Sequence, residues 1–82
     1  MTEADAFILE MRENERLAEA AYDAMYDARP SAAKDFFDDA RGFLAKAIDL
    51  ARRAGLTEEA ARLTARCDHI VGVYNSQFRG VW

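Results

Sequence analysis

The sequence predicts an all-α fold, an up-down-up antiparallel three-helix bundle of long helices that forms one domain over residues 1–82. Three observations carry that expectation. Apolar residues recur at helical period through almost the whole chain. The pattern breaks at Arg29-Pro30 and at Gly55-Leu56. Joints this short make consecutive helices antiparallel neighbours. The helices run over about residues 2–28, 31–54 and 57–78, with axes of roughly 33–40 Å at 1.5 Å per residue.

Thr2 and Asp5 stand in capping-box positions at the start of the first helix. Its apolar stripe is Ala4, Phe7, Ile8, Met11, Ala18, Tyr22, Met25 and Tyr26. Asn14 and Glu15 fall in the same arc and interrupt it. A carboxylate facing a core is costly unless paired. The two residues are therefore a candidate buried polar layer that fixes register, or a strip that faces a partner. The plainer alternative is a glutamate reaching the core edge on its methylene stem.

At about 100° per residue, the apolar positions of the second helix from Ala33 to Ala54 cover an arc of roughly 160°. Ser31 is expected to cap its start, with Pro30 just outside. Gly55 supplies the left-handed conformation that ends a helix, and Arg52 and Arg53 suit the negative end of the dipole. The third helix opens with Thr57 as cap and Glu58 and Glu59 in its first turn. Its stripe of Ala60, Leu63, Thr64, Cys67, Ile70, Val71, Tyr74 and Phe78 is roughly 120° wide, and Gly80 is expected to close it. All three helices are expected in mutual contact around Leu44, Ala47, Ala51, Leu63, Cys67, Ile70 and Tyr74.

Charge narrows the partners. Residues 1–50 hold twelve acids against six bases, and residues 51–82 hold three acids against five arginines. A net charge of −4 without a basic face argues against nucleic acid. It fits acidic helices packing on a basic one. The start, Met1-Thr2-Glu3-Ala4-Asp5, is acidic where a signal peptide would be basic, and no apolar run is long enough to span a membrane. Cys67 has no second cysteine with which to form an internal disulfide. A cytoplasmic protein with no membrane or nucleic-acid partner is expected.

Chemistry is sparse. Cys67-Asp68-His69 is the one cluster with ligand or nucleophile character, but adjacent helical residues do not converge, and zinc wants several such ligands. The di-iron Glu-x-x-His pattern is absent, because Arg66 stands three residues before His69. Asp23, Asp27, Asp35, Asp38 and Asp39 gather near the first turn, where a cation could bind or where they form a solvated acidic end. No catalytic, cofactor-binding or metal residue is predicted, and no cofactor.

The breadth of the second helix's apolar arc points to association instead. A bundle helix touching two neighbours uses an apolar face somewhat over 100° wide. The excess lies along Phe36, Phe43 and Leu50, spaced by seven as in an interhelical seam. A second copy is the simplest occupant.

Around the second joint, Ala47, Ile48, Ala51, Gly55, Ala60 and Cys67 fall where a tetratricopeptide repeat places small or apolar packing residues. The likeness covers about twenty residues, and it resembles that family without its 34-residue period. It implies a peptide-binding module that uses the exposed side chains of the second helix. The main expectation is a non-enzymatic interaction or regulatory protein acting as a homodimer with a possible protein partner. An enzyme or ligand-binding protein with a site between subunits is a further alternative.

Overall fold

The computed structural model describes residues 2–78 as helices joined by two tight turns. α1 spans Glu3–Asp27, α2 spans Pro30–Arg53 and α3 spans Thr57–Val73; a π-helical turn, Tyr74–Phe78, continues α3. There is no strand among the described residues. The expected closure at Gly80 lies outside them.

Local chemistry sets each boundary. The Asp5 N–H donates to Thr2 Oγ1 at 3.2 Å and the Thr2 N–H to Asp5 Oδ2 at 3.1 Å, closing the capping box of α1. Proline drives the residue before it out of the helical region. Arg29 is accordingly extended (φ −64°, ψ 152°), as is Ala28 before it, and α1 stops. Pro30 then occupies the first position of α2, where its missing N–H leaves no bond unmade. Ser31 therefore lies inside the helix and does not cap it.

Gly55, at φ 75°, ends α2 in a Schellman motif. The Leu56 N–H donates to the Ala51 carbonyl at 2.8 Å and the Gly55 N–H to the Arg52 carbonyl at 3.0 Å. Leu56 adds the motif's apolar contact by packing on the core. It also takes the cap position of α3, so Thr57 is the first helical residue.

Packing follows from where small and large side chains fall. Ala18, Ala40, Ala47 and Ala51 are fully buried, with Met11, Met25, Leu44, Leu63 and Ile70 filling the space between. Of the expected core, Cys67 is the exception. It lies on the α2-facing edge of the stripe and is half-buried, and burial with Asp68 nearby pushes its thiol pKa up.

The contacts fix direction and register. Phe37 stacks on Tyr74, so the N-terminal half of α2 meets the end of α3. Glu10 reaches Lys46 at 3.8 Å across the α1–α2 pair. Both α1–α3 ion pairs join residues 47 apart, as two parallel helices require.

The bundle is flatter than three equal contacts would make it: the Cα trace spans 48 × 19 × 12 Å. α2 lies closely against both neighbours, whereas α1 and α3 meet through long side chains and have no extended backbone approach. The expectation that all three helices are in mutual contact is corrected on that point. The physical reason is bulk, since arginines and glutamates occupy the α1–α3 side and alanines the α1–α2 side.

The π-helical turn also departs from the expected single helix to residue 78. It sets the Tyr74 and Phe78 rings 3° from parallel at 6.2 Å. Tyr74 then stacks on Phe37 at 4.0 Å, and Phe78 meets Tyr26 edge-on at 5.3 Å. Aromatic contacts to two helices offset the loss of regular α-helical bonding there.

Candidate interaction surfaces

Asn14 and Glu15 part company. Asn14 is buried, and its side-chain amide donates to the Glu10 carbonyl at 2.8 Å within its own helix. Glu15 is half-buried at the α1–α3 edge, where both carboxylate oxygens accept from Arg62, at 2.7 and 2.9 Å. Those hydrogen bonds hold the Glu15 carboxyl below its ordinary value of 4.5. Arg62 is held in turn by Glu59 at 2.6 Å. One turn further on, Arg66 grips Glu19 through two bonds of 2.8 and 2.6 Å and lies over the Tyr22 ring at 5.0 Å.

This ladder was readable in principle. Glu15 and Glu19 are four apart, as are Arg62 and Arg66, and both pairs share one offset. Reading the offset needed the parallel register of α1 and α3.

An aromatic chain closes the far end. Phe37, Tyr74, Phe78, Tyr26 and Tyr22 follow one another in contact, with Arg41 over Phe37 at 4.9 Å and Arg66 over Tyr22 at the other end. The Tyr22 and Tyr26 hydroxyls are 2.9 Å apart. Burial, and the bond to Tyr26, push the Tyr22 pKa up to about 12.

On the expected seam, Phe36 and Phe43 are half-buried while Leu50 is buried, 5 % exposed. Lys46 explains the difference. It lies one turn from both Phe43 and Leu50, and its contact with Glu10 shows that this edge of α2 turns toward α1. α1 thus covers the C-terminal part of the strip. The part left partly open is Phe36 and Phe43.

The other candidates stay dispersed. Asp68 and His69 are exposed beside half-buried Cys67. Asp38 is paired with Lys34 at 2.9 Å and Arg41 at 3.6 Å, and Asp23, Asp27, Asp35 and Asp39 are exposed. Among the described residues no three His, Cys, Asp or Glu side chains gather to hold a metal, and no helix is long and apolar enough to cross a membrane. The concavities there are shallow, among them a groove of about 370 Å³ along Arg52, Gly55, Thr57, Ala60, Ala61 and Thr64.

No family model, no curated protein and no solved structure matches the chain.

Proposed function

We propose that this protein works by association, as a small helical-bundle module that pairs with its own copy and through the pair engages a protein partner. The observation that carries the reading is the open part of the α2 edge, where the Phe36 and Phe43 rings are half-buried on a chain too small to hide its apolar surface. Large aromatic rings left partly exposed are the material from which interfaces are built. Pairing them with a copy of themselves gives a two-fold contact, the commonest oligomer symmetry.

Sedimentation equilibrium tests this. The wild-type protein is expected to run at twice its 9.2 kDa chain mass at tens of micromolar. Phe43→Glu, which puts a charge into the contact, is expected to run as a folded monomer. A wild-type monomer under those conditions would reject self-association.

A further inference from the structure

Gly42 sits in the middle of α2, and nothing within the chain calls for it. Glycine weakens a helix relative to alanine and is kept where a backbone must come close to something else. No such neighbour exists here. The residue is exposed, and a Cβ built on it would meet nothing within 4 Å.

The charges around it form a second, independent pattern. Asp35, Asp39, Gly42, Lys46 and Arg53 follow at helical spacing and share one face of α2, and all are exposed. Before Gly42 that face carries Asp35 and Asp39; after it come Lys46 and Arg53, with exposed Asp49 between them and paired to Arg53. Phe36 and Phe43 border it along one side. Arg53 is already held by Asp49 at 3.0 Å, whereas Lys46 touches Glu10 only at 3.8 Å. Lys46 is thus the cation best placed to turn to a new carboxylate.

We infer that two copies pair through this face of α2, antiparallel, about a two-fold axis beside Gly42 and Phe43. The inference rests on the proposed self-association and specifies its geometry. With the axis there, Asp39 lies opposite the partner's Lys46, and symmetry makes the contact twice. Asp35 comes opposite the partner's Leu50, between the partner's Asp49 and the partner's Arg53, so the attraction rests on the Asp39–Lys46 contacts. A parallel pairing would set Asp39 against Asp39 and Lys46 against Lys46, so this pair of residues favours the antiparallel one. Gly42 lets the two helix axes approach at the centre, and the Phe43 rings close over the side of the contact.

Charge exchange tests the pairing. Asp39→Lys alone, or Lys46→Asp alone, places like charges together at both symmetric contacts. Each is expected to weaken the homodimer roughly three- to tenfold, with circular dichroism confirming that the helices persist. Mixing the two single variants sets every lysine opposite an aspartate, and a heterodimer about as tight as the wild-type dimer is expected. Gly42→Leu should retain or raise helicity yet weaken the dimer by about tenfold or more, because it overfills the contact. A monomeric wild type would defeat self-association itself. A wild-type dimer whose affinity ignores both charge reversals, or ignores Gly42→Leu, would preserve self-association and overturn this pairing.

Discussion

Two glycines in this chain have opposite relations to their own backbones. Gly55 needs its missing side chain, because at φ 75° an L-residue is strained. Gly42 lies in regular helix with open space around it, so within one chain alanine would serve better. Gly55→Ala should therefore lower folding stability by about 1 kcal/mol, and Gly42→Ala should raise it by about 0.5–1 kcal/mol. Urea unfolding at concentrations low enough to keep the protein monomeric reads both. Two changes of the same sign would contradict the account of one or the other. The role of Gly55 was legible in the sequence, since a glycine after a helical run and before an acidic helix start has few other readings. The exposure of Gly42 was not, because it depends on which way α2 turns in the bundle.

Among the elements, α3 is held differently from the other two. Its inner stripe reaches the core through Leu63, Ile70 and Tyr74, but its tie to α1 is the pair of Arg–Glu bridges. The Glu15 carboxyl titrates below its ordinary value because Arg62 bonds to it. Its contribution is therefore present above that ordinary value and is lost as the pH falls through the lower folded value. The pair is partly exposed, so the effect is below about 1 kcal/mol. Comparing the wild type with Glu15→Gln by urea unfolding at about pH 7 and about pH 3 should show a larger wild-type advantage at the higher pH than at the lower. An advantage undiminished by acid would mean that Arg62 is not its source. The sequence located the α1–α2 boundary from Pro30 and the α2–α3 boundary from Gly55. It missed the π-helical turn because that turn answers to Phe37 and Tyr26, distant residues brought near by packing.

For the whole molecule, hydrophobic period gave the all-α three-helix bundle, and the joints gave its direction, since both are local properties of the chain. The flattened shape depended on relative bulk across three interfaces, alanine on one and arginine with glutamate on another. The candidate seam along Phe36, Phe43 and Leu50 was visible as an over-wide arc. Its division between α1 and the open surface was not, because an arc does not say how far a neighbour wraps around it. Association through the outer face of α2 is the central claim, and distances between spin labels test it most directly. In a Cys67→Ala background, a label at Ala45→Cys would sit near the proposed axis, and one at Ala65→Cys would sit on exposed α3. Paired α2 helices predict an Ala45 distance within about two helix diameters, roughly 20 Å, and a clearly longer Ala65 distance. Labels at Ala65 closer together than those at Ala45, or no interaction between the Ala45 labels in a sample that sediments as a dimer, would contradict it.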